Sequence, residues 1–213
     1  MNNIVAKVFA WFGLALCLLL GLGALGLQSV GMSPINLPAN IAVGTGMGSK
    51  LACSGRFLSG FDEDQIRKDL ATYSPAIDWF TITLDEDLQR ASVDLLGLFG
   101  ASATYRPGIG CTLDQADMSL LDSLEPPSAP AVDESRLWPV GPRVAEANSR
   151  LVDALTRSLA EDQQQGLQTR ALVMVLDGQI VAEAYAAGIT PNTPLMGWSQ
   201  GKSLTSLMIG WLQ

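Results

Sequence analysis

The apolar positions are spread very unevenly along the chain. Residues 8–27 (VFAWFGLALCLLLGLGALGL) carry no charge at all. About 20 apolar residues rising 1.5 Å each span a hydrocarbon core of about 30 Å, which predicts a transmembrane helix. Trp11 falls near one end, where an amphipathic ring favours the membrane interface. Lys7 flanks the run and the next basic residue is Lys50, a bias that keeps the N-terminus inside and the body outside. A cleaved signal peptide is the alternative. Residues 8–20 have the length of its apolar region, and Ala24-Leu25-Gly26 offers a small-x-small site. Residues 28–48 are rich in Gly, Pro, Ser and Asn, and the pattern predicts a linker.

From Lys50 the pattern changes. Asp62 or Asp64 can cap a helix through Ala71, with Arg67 and Lys68 towards its end. Residues 77–84 (IDWFTITL) are aromatic and β-branched and predict a strand, followed by a turn at Asp85-Glu86-Asp87. Residues 88–95 and 101–106 predict two more strands, and Pro107-Gly108 turns the chain. Pro126, Pro127, Pro130, Pro139 and Pro142 mark a connector. Within 143–161, Val144, Ala147, Leu151, Val152, Leu155 and Leu159 fall at helical spacing. Residues 171–176 and 179–185 predict a hairpin around Asp177-Gly178, residues suited to the positive φ angles of a type I′ turn. Its first strand is apolar on both faces, as in a strand inside a covered sheet. Residues 203–213 (SLTSLMIGWLQ) are helix-like and strongly apolar. The expected organisation is an anchor or signal segment (1–27), a linker (28–49), a small α+β region (50–122), a Pro-rich connector (123–142) and a final unit (143–213).

Composition narrows the chemistry. The 213 residues are 48% hydrophobic, too apolar for a disordered chain, and the net charge of −8 argues against a nucleic-acid partner. There is no His, which excludes a Ser-His-Asp triad and a His-ligated metal within these residues. Cys17 lies in the apolar run, where it reads as filler. Cys53 and Cys111 are left as candidates for one disulfide in an exported chain, with two buried thiols as the alternative.

Ser199-Gln200-Gly201-Lys202 opens the last helix-like stretch. Helical residues three apart share a face, with Cβ atoms about 5–6 Å apart, so a Lys amine can reach the Ser hydroxyl. That hydroxyl is a weak nucleophile until a base takes its proton, and Lys is such a base only when neutral. Burial and a helix N-terminus favour the neutral amine, and the same N-terminus presents the Ser199 N–H to a developing oxyanion.

Residues 170–213 (RALVMVLDGQIVAEAYAAGITPNTPLMGWSQGKSLTSLMIGWLQ) resemble the first motif-bearing block of the serine β-lactamase-related and penicillin-binding-protein superfamily. The order is helix, two strands with a D-G turn, a loop reading T-P-L-x-x-W-S, and S-x-x-K opening a buried helix. The Gly-Trp before Ser199 is similar to class C-related esterases and the 6-aminohexanoate-dimer hydrolase group. The stretches KLACSGRFLSG (50–60) and YRPGIGCTL (105–113) resemble membrane-anchored members of that group. The resemblance implies an α/β (α+β) sheet with packed helices of the β-lactamase/transpeptidase-like type. It also implies acyl transfer from an amide, ester or lactam, on a small-molecule or peptide-like substrate, without a cofactor. Ser199 would attack and Lys202 would accept the proton.

Family members complete the site with a Tyr-x-Asn-type motif and a Lys- or His-Thr-Gly strand, and neither occurs in this sequence. Tyr73, Tyr105 and Tyr185 do not match. The sequence stops at Gln213 inside a predicted helix, so a truncated, inactive hydrolase is the expectation. The apolar face of the helix and the edges of the hairpin would then lie open. A different class of protein is the alternative: a non-catalytic, membrane-tethered periplasmic binding module. The expected location is the inner membrane with the body in the periplasm, the membrane being engaged through residues 8–27.

Overall fold

The computed structural model describes residues 2–29, 33, 35–126, 128 and 131–212. Part of the expected linker (30–32 and 34), Pro127 and Pro130 of the connector, and the end at Gln213 lie outside the described residues. The protein is α+β, with a four-stranded antiparallel sheet, a separate two-stranded hairpin, and helices. It forms two compact units, Met1–Phe57 with Phe61–Leu124, and Leu58–Gly60 with Glu125–Gln213.

In the first unit, α1 (Asn2–Ser29) contains Lys7–Gly26, a segment long and apolar enough to cross a membrane. Its length and composition fit a membrane span and a signal sequence alike. Where the linker is expected, the chain instead forms α2 (Leu37–Phe57). The small residues that imitate a linker are the helix's packing face. Thr45, Gly46, Gly48, Ser49, Ala52 and Cys53 are buried at helical spacing. A Cβ added to Gly48 would lie 3.4 Å from Val93 Cγ1, and one added to Gly55 would lie 3.0 Å from Ile66 Cγ1. Glycine there lets the helix approach its neighbours closely. The buried hydroxyls are satisfied inside the helix: Thr45 Oγ1 donates to Ile41 O (2.9 Å) and Ser49 Oγ to Gly46 O (3.0 Å).

α2 packs on a meander of β1 (Phe80–Asp85), β2 (Arg90–Leu95), β3 (Phe99–Arg106) and β4 (Gly110–Leu113), in the order β1-β2-β3-β4. Residues 77–79 fall in a 3-10 turn (Pro75–Trp79) rather than in the first strand, because Ser74 caps the turn by accepting from Ala76 N and Pro75 fixes its start. The fourth strand was not expected; it is four residues long and too short for a periodic signal. The register Asp85↔Arg90, Leu95↔Phe99 and Arg106↔Gly110 puts Ile82, Ala91, Val93, Ala103 and Cys111 on the buried face. α3 (Glu63–Ala71) begins at the Asp62 cap, whose carboxylate accepts from Gln65 N at 2.8 Å, and buries Ile66 and Leu70 in the same core. Cys53 of α2 and Cys111 of β4 are joined as a disulfide, Cα–Cα 6.0 Å, so helix and sheet are covalently tied.

The opposite sheet face is polar. Asp114 accepts from Ser102 Oγ (2.9 Å) and Thr104 Oγ1 (3.0 Å) and pairs with Arg90 Nε (3.1 Å). Arg106 bonds Thr112 and Asp122 and so holds the short helix α4 (Ser119–Asp122) near the sheet.

In the second unit, α5 (Ser149–Gln164) starts six positions after the expected Arg143. Asn148 decides the start: its side chain accepts from Arg150 N and Leu151 N, and its own N–H donates to Val181 O at 2.9 Å. The hairpin β5 (Ala171–Leu176) and β6 (Gln179–Tyr185) forms over the expected residues, with Asp177 at φ 48° and Gly178 at φ 73° and a register shift between Met174 and Val175. Leu159 of α5 and Ala182 and Ala184 of β6 are buried. β5 is not covered as its two-faced apolar pattern predicts, since Val173, Met174, Val175 and Leu176 are exposed. α6 (Gln200–Trp211) is likewise exposed at every position, where the resemblance implies a buried helix. Among the described residues no element covers either apolar surface.

Candidate functional site

The Ser-x-x-Lys motif sits where the 197–199 turn becomes α6. Gln200 N donates to Gly197 O (2.8 Å), Gly201 N to Trp198 O (3.3 Å) and Lys202 N to Ser199 O (3.0 Å). These three-residue steps wind the chain tightly into the helix. They use the N–H groups of residues 200–202; among the described residues the Ser199 N–H has no backbone acceptor.

Ser199 occupies the N-cap position, yet its backbone is already helical (φ −69°, ψ −6°) and its side chain caps nothing. A capping serine has extended backbone and turns its oxygen to the next N–H groups. Here the hydroxyl is left for the side chain one turn on. Lys202 Nζ donates to Ser199 Oγ at 3.0 Å, the contact that the spacing predicts. The same separation would serve a neutral amine receiving the hydroxyl proton.

The unusual conformation at the site is that of Trp198, which the sequence does not reveal. Its φ is +40°, an uncommon conformation for a bulky L-residue outside a hairpin turn. Nothing in Gly197-Trp198 signals it. Strain of this kind, about 1–3 kcal/mol, persists only where surrounding bonds hold it, and it concentrates at functional positions. A Cβ on Gly197 would lie 3.2 Å from Gln200 Oε1, so the glycine leaves room for the turn.

Trp198, Ser199, Gly201, Lys202 and Thr205 line a shallow, solvent-open depression. Lys202 is exposed, so the described residues do not supply the apolar burial expected around it. Of the other residues named from the sequence, Cys53 and Cys111 form the disulfide of the first unit. Tyr185 lies at the end of β6, where it donates to Glu183 Oε2 at 2.7 Å. Burial first, and that hydrogen bond second, push its phenol up to about 12, so it stays protonated at neutral pH. Comparisons with protein-family models, with curated proteins and with solved structures find no match to the chain.

Proposed function

We propose that Ser199 and Lys202 are the nucleophile and base of a serine hydrolase of the β-lactamase-related type. In this reading α1 is an uncleaved anchor in the inner membrane and the body is periplasmic. The observation that carries the proposal is the 3.0 Å contact between Lys202 Nζ and a Ser199 hydroxyl that is not spent on capping. The neutral amine takes the hydroxyl proton as Oγ bonds to the carbonyl carbon of an amide, ester or lactam. The Ser199 N–H, without a backbone acceptor among the described residues, stabilises the oxyanion. The leaving amine or alcohol departs with the proton from Lys202, and water then releases the acyl group. Burial favours a neutral lysine, so an apolar cover over the exposed Lys202 is a requirement of this mechanism.

The 213 residues contain neither a Tyr-x-Asn nor a Lys- or His-Thr-Gly segment. We therefore assign them two members of the catalytic set and expect no turnover from them alone. The test is a fluorophosphonate or penicillin probe on the native protein isolated with its membrane. Labelling at Ser199 that disappears in Ser199→Ala supports the hydrolase. A folded protein whose labelling is absent, or indifferent to Ser199→Ala, overturns it.

One observation favours a second reading. The first unit has its own core and disulfide, to which Ser199 contributes nothing. That suits a membrane-tethered periplasmic binding module, for which Ser199→Ala changes nothing.

A further inference from the structure

The turn between β2 and β3 is the least explained surface of the first unit. Leu98 N donates to Leu95 O at 3.1 Å, with Leu96 at φ 57° and Gly97 at φ 68°. That pair of positive φ angles belongs to a type I′ turn, whose first position favours Asn, Asp or Gly. The β5–β6 turn obeys the rule with Asp177-Gly178. The β2–β3 turn places a leucine there instead, 79% exposed, followed by Leu98 at 76% and Phe99 at 52%. Trp79, 76% exposed, precedes Phe80, and Phe80 pairs with Leu95, which brings the indole to the same end of the sheet. Neither turn formation nor core packing explains four large apolar side chains in water at one tip.

The direction of α2 says what lies beyond that tip. Its C-terminal Arg56 bonds Glu86 in the β1–β2 turn at 2.7 Å, Cys53 is joined to Cys111, whose strand partner Tyr105 lies at that same end of the sheet, and Gly48 faces Val93 midway along β2. The helix therefore has its C-terminus at the β1–β2 end and points its N-terminus in the direction of the β2–β3 end. Residues 30–36 are all that separate α2 from α1, a length that spans at most about 25 Å. With α1 across a bilayer, the end of the sheet that carries the apolar tip is the end nearest that bilayer.

We infer that the β2–β3 turn is a second membrane contact: Leu96, Leu98 and Phe99 enter the lipid interface, with Trp79 at headgroup level. The inference rests on α1 being an anchor and is independent of Ser199. The tip itself, residues 95–99, carries no basic residue, so the contact is apolar and needs no anionic lipid. It holds the first unit upright at a fixed height above the membrane, where α1 alone would leave it tethered but free to turn.

The experiment uses the full chain with Cys17→Ser and one added cysteine, labelled with an environment-sensitive fluorophore and reconstituted in phosphatidylcholine vesicles. A label at Leu98→Cys should be blue-shifted and quenched by lipid carrying a spin label near the headgroup. A label at Asp87→Cys, in the opposite turn, should stay solvent-like. Leu96→Asn with Leu98→Ser keeps the turn, because Asn suits positive φ, and in that background a label at Phe99→Cys should lose the shift and the quenching. A label at Leu98→Cys as solvated as the one at Asp87→Cys overturns the inference. So does a blue shift that persists in detergent without lipid quenching, which would assign the tip to a protein partner. Native Cys17, labelled in the parent chain, reports whether α1 is in the bilayer, and so whether a failure belongs to the tip or to the anchor.

Discussion

The two units hold their secondary structure by different means. In the first, α2, α3 and the four-stranded sheet share one core built from Ala52, Cys53, Ile66, Leu70, Val93 and Cys111, and a disulfide ties helix to sheet. In the second, Leu159, Ala182 and Ala184 are buried, while the apolar residues of β5 and α6 face solvent. The candidate chemistry sits in the second. The Ser199–Lys202 contact needs only one helical turn, so it forms without tertiary support. A neutral lysine and a closed pocket need packing, and those are what the described part of this unit does not provide.

The largest effect that would sharpen this contrast is loss of the cross-link. Cys53→Ser with Cys111→Ser, which opens a link with a sequence separation of 58, should lower the stability of the first unit by about 4 kcal/mol. Urea unfolding followed by hydrogen exchange should show the loss in β1–β4 and none in the β5–β6 hairpin. An equal loss in both would mean that the units unfold as one. Next, Gly48→Val drives a side chain onto Val93 and should cost about 1–3 kcal/mol. Unchanged stability would show that α2 does not sit tightly on the sheet.

The mirror experiment is Gly210→Ala in α6, where nothing lies within 4 Å of the added methyl. It should stabilise the helix by about 0.5–1 kcal/mol, read as helicity by circular dichroism, and a loss would reveal a neighbour over that face. The smallest effect concerns Tyr185. Its folded pKa is raised from the usual 10.0 to about 12, so its contribution is fully present below pH 10 and fades as pH rises through 12. Tyr185→Phe should therefore lower stability slightly below pH 10, where the hydroxyl's bond to Glu183 is lost, and flatten the alkaline profile between pH 10 and 12.

Much of the fold is readable in particular residues. Asp62 marks the start of α3, and Asp177-Gly178 marks the β5–β6 turn. Both signals are local, since a carboxylate reaches N–H groups within a turn and a positive φ selects its residues. Misreadings arise where packing overrules composition. The Gly- and Ser-rich stretch is a helix because its small residues face a sheet, which a linker signature cannot reveal. The late start of α5 depends on a partner far along the chain, Val181, whereas β4 pairs across a tight turn with Thr104 and Tyr105 and is too short to carry a period of its own. For the site, the spacing predicts the Ser–Lys contact but not the left-handed Trp198 before it.

By itself the sequence determines what spacing and covalent chemistry determine: an apolar span at the N-terminus, a hairpin at Asp177, a Ser and a Lys on one helical face, and no imidazole for either to use. Only the tertiary structure decides that Cys53 meets Cys111, and that α2 lies on the sheet with Arg56 at the β1–β2 turn and Gly48 against Val93. The physical reason is range. Helical periodicity and turn geometry act over three or four residues, whereas burial and pairing act between residues dozens of positions apart, where one sequence pattern fits many neighbours and packing selects among them.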